Sequence, residues 1–134
     1  MNTATVKHIS GVPDYEICEL APRRGAYCLL IPVINEGARI LTELGRAQRA
    51  GIDKVCDIVI CDGGSTDGSM NPDTLALYGV NTLLTKTGPG KQGAQLRMGI
   101  HYALKRGYEG ILTIDGNNKD SIEDVPKFIA KLKE

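Results

Sequence analysis

The sequence predicts an α/β fold with a mostly parallel sheet flanked by helices, and two observations carry this prediction. From residue 26 onward, short apolar runs alternate with segments whose apolar residues recur at helical spacing. The apolar runs are continuous, which is typical of parallel strands covered on both faces. The chain has 134 residues, of which 42% are hydrophobic, so a single domain with a packed core is expected.

Four strands are predicted from the apolar runs. The first covers residues 26–31 and is expected to end at Pro32. The later runs cover residues 55–61, 80–85 and 110–114. Because a helical pattern lies between each strand and the next, crossover connections and parallel pairing are expected.

Four helices are predicted between and after these strands. The first has apolar residues at helical spacing from Ile40 to Ala47, with Gly51 as its stop. A short second helix begins with Asn71 as its cap and Pro72 in the first position. The other two are expected over residues 91–106 and about 124–133.

The first 25 residues lack this regularity. They contain Pro13, Pro22 and the neighbouring arginines Arg23 and Arg24, and they show no clear strand or helix pattern. We therefore predict an N-terminal extension over residues 1–25 that packs on a neighbour or stays loose. The regular pattern places one folded domain over residues 26–134.

Composition excludes several functional classes. Lys plus Arg equals Asp plus Glu at 16 each, so nucleic acid is not an expected partner. The four cysteines show no Cys-x-x-Cys spacing and lack nearby histidines, which disfavours zinc and favours reduced thiols. No signal-peptide pattern opens the chain, and the longest apolar run is too short to span a bilayer. A cytoplasmic protein is expected.

Polar or glycine-rich segments follow all four predicted strands. They cover residues 32–36, 62–68, 87–93 and 115–120. Because ligands of open α/β sheets bind beyond the carboxyl ends of the strands, these segments are expected to form one site. The connections at the opposite edge, such as residues 51–54, are less distinctive.

Each segment has a structural and a functional interpretation. Residues 62–68 are either part of a site or a turn followed by a helix cap. In the structural interpretation, Gly88 to Gly90 form a turn. In the functional interpretation, Lys91 and the free N–H groups of a helix start bind a phosphate. Asp115 and Asn117 are either turn residues or oxygen ligands for a hard divalent cation beside a diphosphate.

The same segments resemble, in order, the motifs of family 2 glycosyltransferases. Residues 31–36 resemble the opening IPxYNE motif of that family, and residues 59–68 resemble its VVDDGSTDGT segment. Residues 90–99 are similar to its GKGAALRxG helix start. Asp115 to Asn117 occupies the place of its DxD motif. The resemblance extends from about Tyr27 to the C-terminus and is nearest the dolichyl-phosphate mannose or glucose synthase-like branch.

The resemblance implies a partial, Rossmann-like GT-A fold and a transferase that moves a sugar from a UDP- or GDP-sugar donor to an acceptor with Mg²⁺ or Mn²⁺. A polyprenyl phosphate or a glycan is the implied acceptor, and the former would bring the protein to a membrane surface. The residues implied to bind the nucleotide sugar are Pro32, Val33, Asn35, Glu36, Asp62, Gly64, Lys91 and Asp115.

Individual roles follow from the same resemblance. The loop from Pro32 to Glu36 would line the nucleoside pocket, and Asp62 would accept a hydrogen bond from the base. Lys91 would offset the diphosphate charge, and Asp115 with Asn117 would bind the metal.

Three departures from the family motifs bear on these roles. Cys61 replaces the first acid of the usual Asp pair, and Ile34 replaces an aromatic residue. Asn117 replaces the second acid of DxD, so weaker metal binding is expected because its amide oxygen is neutral. Lys119 would repel the cation further, while Asp120 would compensate.

The order of the motifs also predicts what this chain lacks. The acceptor-binding segments and usual catalytic base of the family lie after DxD, so the chain alone is expected to be incomplete, with no base assigned. The predicted strand 110–114 would then be an exposed edge open to homo-oligomerisation.

The alternative function is a non-catalytic nucleotide-binding or regulatory module. A nucleotidyltransferase or dehydrogenase would need a glycine-rich loop after the first strand, which the sequence does not have.

Overall fold

A computed structural model describes residues 2–118 and 121–134, which form one mixed sheet flanked by helices. The strands are β1 (Asn2–Val6), β2 (Tyr15–Glu19), β3 (Tyr27–Val33), β4 (Asp57–Asp62), β5 (Thr82–Lys86) and β6 (Gly110–Thr113). The α-helices are α1 (Ala38–Arg49), α2 (Pro72–Leu77), α3 (Gln92–Lys105) and α4 (Val125–Leu132). Short 3₁₀ helices cover Ile52–Lys54 and Ile122–Asp124.

The strands lie in the order β1-β2-β5-β4-β3-β6. β5, β4, β3 and β6 are parallel to their neighbours, whereas β1 and β2 pair antiparallel with each other and β2 pairs antiparallel with β5. The predicted α/β class is therefore confirmed, and the four strands expected from the sequence are its parallel part. The carboxyl ends of these four strands lie at one edge of the sheet.

The N-terminal segment differs from the sequence prediction. Residues expected to pack on a neighbour or stay loose instead contribute β1 and β2 to the same sheet. β1 has no buried residue, and its threonine-rich sequence reflects an edge strand in contact with water. In β2 only Tyr15 is fully buried, so the apolar signal that marks the parallel strands is absent there.

The first parallel strand also continues past its predicted end. Pro32 lies inside β3, which ends at Val33. The Pro32 carbonyl accepts a hydrogen bond from Gly116 N at 3.3 Å, beyond the end of β6. The missing N–H of Pro32 therefore falls where the neighbouring strand has already ended, which is where a sheet tolerates proline.

Both faces of β3 and β4 are buried, as their continuous apolar sequences indicate, whereas β6 at the edge has no fully buried residue. One cluster joins Leu29, Ile31 and Ile60 to side chains of α1, α2 and α4, and a second joins Leu30 and Val59 to α3. α3 lies close to the sheet at Gly99, where an added Cβ would be 2.6 Å from Cys61 Sγ. This approach places the middle of α3 against Leu30 of β3 and Cys61 of β4. Within the described residues no helix is long and apolar enough to cross a bilayer.

Candidate functional site

A cavity of about 450 Å³ lies at the carboxyl edge of the parallel strands. It receives residues from all four segments that follow the predicted strands. Its lining residues are Pro32, Val33, Ile34, Glu36, Gly63, Gly90, Lys91, Gln92, Gln95, Asp115 and Asn117. Six of the residues singled out from the sequence line it, whereas Asn35, Asp62 and Gly64 do not.

Asn35 joins two of the loops that surround the cavity. Its backbone lies in the left-handed region with φ of 47°. Its side-chain Oδ1 accepts from Thr66 N at 2.8 Å, and its own N donates to Ser65 Oγ at 2.9 Å. Asp67 adds a third link, because its Oδ2 accepts from Gly37 N at 3.0 Å. These side chains therefore fix the loop after β3 on the loop after β4.

Asp62 forms the turn that follows β4. It is 2% exposed, and its Oδ1 accepts from Ser65 N at 3.0 Å and from Ser65 Oγ at 2.6 Å. Gly64 follows with φ of 104°, a conformation that favours glycine. Residues 62–68 therefore begin with a turn, which is one part of their structural interpretation.

Gln95 lies at the base of the cavity and was not singled out from the sequence. Its side-chain Nε2 donates to Val33 O at 2.8 Å and to Cys61 O at 2.9 Å, which are carbonyls near the ends of β3 and β4. Gly63 leaves room for it, since a Cβ there would be 2.9 Å from Gln95 Cδ. Its position next to Ala94 on the buried face of α3 is known only from the fold.

The start of α3 opens into the cavity. No side chain of the described residues caps the helix, and Lys91 at its N-cap is exposed. Gly90 has φ of 116°, and a Cβ there would be 2.5 Å from Ala94 Cβ, so the loop needs glycine to turn into the helix. An ammonium group and unbonded backbone N–H groups at a helix start together favour an anion.

Asp115 and Asn117 lie in the loop after β6, and Asp115 is beside the start of α3. Asp115 Oδ1 accepts from Gln92 Nε2 at 2.6 Å. The loop packs tightly on β3 at Gly116, where a Cβ would be 2.9 Å from Val33 Cγ2. The described residues hold no group of three or more His, Cys, Asp or Glu placed to bind a metal. Lys119 and Asp120, to which opposite effects on a cation were ascribed, lie outside the described residues.

One carboxylate and one amide oxygen fit a hard divalent cation only as part of a larger ligand set. Mg²⁺ commonly takes one or two carboxylates together with phosphate oxygens of a bound substrate and water. Asp115 and Asn117 line the same cavity, and they are the residues that would supply the protein share of such a set.

Arg46 on α1 holds the loop after β6 from the other side. Its Nε and Nη2 donate to the two carboxylate oxygens of Glu123 at 2.7 Å each, and its Nη1 donates to Asn118 Oδ1 at 2.5 Å. These hydrogen bonds lower the pKa of Glu123 to about 2. Because Asn118 directly follows Asn117, the guanidinium group fixes the end of the loop that lines the cavity.

Apolar surface completes the cavity. Ile34 lines it and is 49% exposed, at the position where the resembled motif has an aromatic residue, whereas the neighbouring Val33 is buried. A flat ring could pack against the Ile34 side chain. Glu36 adds an acceptor at the same end, with Oε2 3.1 Å from Arg39 Nη2.

No family model, curated protein or solved structure matches this chain.

Proposed function

We propose that the chain binds a nucleoside diphosphate sugar in this cavity and serves a glycosyltransferase of the GT-A type. The observation that carries the proposal is the convergence of three features on one cavity: Lys91 at an open helix start, the oxygens of Asp115 and Asn117, and the exposed apolar side chain of Ile34. A nucleoside diphosphate needs a partner for its charge, oxygen ligands for its cation and a surface for its base. The four motifs, which occur in the same order as in family 2 glycosyltransferases, support the transferase part of the proposal.

In this proposal, the diphosphate lies between the start of α3 and the loop after β6. Lys91 and the N–H groups at the start of α3 offset its negative charge from one side. Asp115 and Asn117 face it from the other side, where Mg²⁺ or Mn²⁺ would join them to the phosphate oxygens. When bound, such a cation stabilises the negative charge that develops on the leaving nucleotide.

The acceptor in this proposal is a polyprenyl phosphate or a glycan, and the former would bring the protein to a membrane surface. A phosphate acceptor is already a nucleophile at neutral pH, whereas a sugar hydroxyl usually needs a general base. The carboxylates that line the cavity among the described residues are Glu36 and Asp115. Asp115 is assigned to the cation here and Glu36 forms an ion pair with Arg39, so we assign no base.

A second candidate is a nucleotide-binding module without catalytic activity. Asn117 favours it, because one carboxylate and one neutral oxygen form a weaker cation site than two carboxylates. The two functions are separated by turnover of a UDP- or GDP-sugar with and without candidate acceptors. Transfer or hydrolysis above the background rate supports the enzyme, and tight binding without turnover supports the module.

The first test of the proposal is calorimetric. UDP and GDP, free or sugar-linked, should bind in the presence of Mg²⁺ more tightly than AMP or NADH. Lys91→Ala should weaken UDP binding about tenfold, because charge-assisted contacts to an anion are lost. Lys54→Ala is the matched control, since Lys54 is also exposed but does not line the cavity. Equal affinity for all four nucleotides, or equal effects of the two variants, would refute the proposed site.

A further inference from the structure

The Gln95 side-chain amide has one possible orientation. The residue is 4% exposed, and its Nε2 donates to the carbonyl oxygens of Val33 and Cys61. If the amide were flipped, its oxygen would face two carbonyl oxygens, which cannot donate. The nitrogen is therefore fixed on the ends of β3 and β4, and the position of Oε1 is fixed with it.

Gln95 Oε1 remains available to a ligand. The two hydrogens of Nε2 serve two carbonyls, whereas Oε1 accepts no hydrogen bond from the described residues. The atom is also not sealed off from solvent, and the residue lines the cavity. Because this acceptor faces the cavity and has no donor among the described residues, a ligand N–H that replaces water at this point would be stabilising.

The position of this acceptor within the cavity indicates which part of a nucleotide it meets. β3 lies between β6 and β4 in the sheet. Asp115 follows β6, whereas the Gln95 amide lies against Gly63, which follows β4. With the cation and diphosphate at Asp115, the base lies toward Gly63, beside Val33.

We infer that Gln95 Oε1 accepts a hydrogen bond from a ring N–H of the base and so selects uracil or guanine over cytosine or adenine. This inference rests on the proposed function. Uracil and guanine carry a ring N–H donor between two exocyclic groups, where cytosine and adenine carry a lone pair. A lone pair facing Oε1 would be repelled. Asp62, the residue that the family resemblance implies for this role, is instead bonded to Ser65.

The experiment compares UDP with N3-methyl-UDP, in which a methyl group replaces the ring donor. Both are titrated with Mg²⁺ into the wild type, Gln95→Met and Asp62→Asn. The wild type should prefer UDP about tenfold or more, as expected for one buried hydrogen bond. Gln95→Met should bring that ratio below about threefold, whereas Asp62→Asn should keep it. Gln48→Met on α1, outside the cavity, controls for the exchange of amide for thioether.

The outcomes separate this inference from the proposed function. Failure of the wild type to bind any nucleotide overturns the proposed function and this inference with it. Binding of UDP and N3-methyl-UDP with equal affinity overturns the inference alone, as does loss of discrimination in Asp62→Asn but not in Gln95→Met.

The Gln95→Met variant loses an amide that is hydrogen-bonded to the ends of two strands, and this loss could unfold it. A second measurement is therefore made on the wild type. The side-chain carbonyl carbon of Gln95 is followed by NMR during titration. Its resonance should shift with UDP and stay within the linewidth with N3-methyl-UDP. Equal shifts with the two ligands would overturn the inference.

Discussion

In the proposed cation site, Asn117 is the weaker of the two protein ligands. Its amide oxygen is neutral, and the neighbouring Asp115 already accepts a hydrogen bond from Gln92. Asn117→Asp adds a charged ligand and should strengthen Mn²⁺ binding without nucleotide by about tenfold. Asn71→Asp makes the same change at the cap of α2, outside the cavity, and should have no such effect.

The affinity for Mn²⁺ is measured by electron paramagnetic resonance of the free ion, with and without UDP. The wild type should bind Mn²⁺ weakly alone and better with UDP, whose phosphates supply further oxygens. Tight binding of Mn²⁺ by the wild type alone would show that Asp115 and Asn117 are wrongly assigned.

Asp62 should contribute more to folding than to ligand binding. Its buried carboxylate is the acceptor for Ser65 N and Ser65 Oγ, so Asp62→Ala leaves two donors without that partner. We expect the free energy of unfolding to fall by about 1–3 kcal/mol in chemical denaturation. Asp62→Asn keeps Oδ1 as an acceptor and should lose less. An unchanged stability together with lost nucleotide binding would restore Asp62 to a ligand role.

The contrast between Asp62 and Gln95 shows what the sequence could predict about the site. The edge where the site lies follows from strand ends, and Pro32, Lys91 and Asp115 meet there. The role of Asp62 could not be decided from the sequence, because a turn and a ligand site use the same residue types. Gln95 was missed because its partners are carbonyls of two distant strands, which no local pattern reveals.

At the level of the elements, the ion pair between Arg46 and Glu123 joins α1 to the loop after β6. Glu123 has its pKa lowered from 4.5 to about 2, chiefly by hydrogen bonds from Arg46. A lowered pKa in the folded state means that the contribution is fully present above pH about 4.5 and is lost as the pH falls through about 2. The pair is partly exposed, with Glu123 at 48%, so its effect on stability should be small and sensitive to salt.

The expected result is a pH-dependent difference between the wild type and Glu123→Gln. The wild type should be the more stable protein at pH 6, and the difference should shrink as the pH is lowered from about 4.5 toward 2. Melting temperatures measured at low salt over this range give the comparison. Glu109→Gln is a control at an exposed carboxylate on another loop. A difference independent of pH would show that Arg46 does not bind the ionised form preferentially.

The elements differ in how well the sequence predicts them. β3 and β4 were found because both of their faces are buried, so each one contains an unbroken apolar run such as Ile58 to Cys61. β1 and β2 were missed because they form an antiparallel ribbon with water on much of its surface. Their position in the sheet is fixed by the pairing of β2 with β5. The hydrophobic pattern of a single sequence cannot predict such a long-range contact.

For the molecule as a whole, the two edges of the sheet are unequal. β1 ends one edge with exposed, polar residues, which discourages pairing with another chain. β6 ends the other edge, and its Ile111 and Leu112 are partly buried in the core. Exposed apolar side chains lie on the helices that flank the sheet: Ile100 and Leu104 on α3, and Phe128 and Leu132 on α4. An apolar, open strand edge of this kind favours association.

We therefore predict that the chain associates with itself through the β6 edge. Its mass in solution, measured by sedimentation equilibrium, should rise with concentration from that of a monomer. Replacing Leu104 and Leu132 together by Glu should shift the chain toward the monomer, because charges on both flanking helices would be desolvated in the interface. Leu77→Glu is the control, since Leu77 is 80% exposed but lies on α2. A wild type that stays monomeric at every concentration, or equal effects of the α2 and edge variants, would refute association at β6.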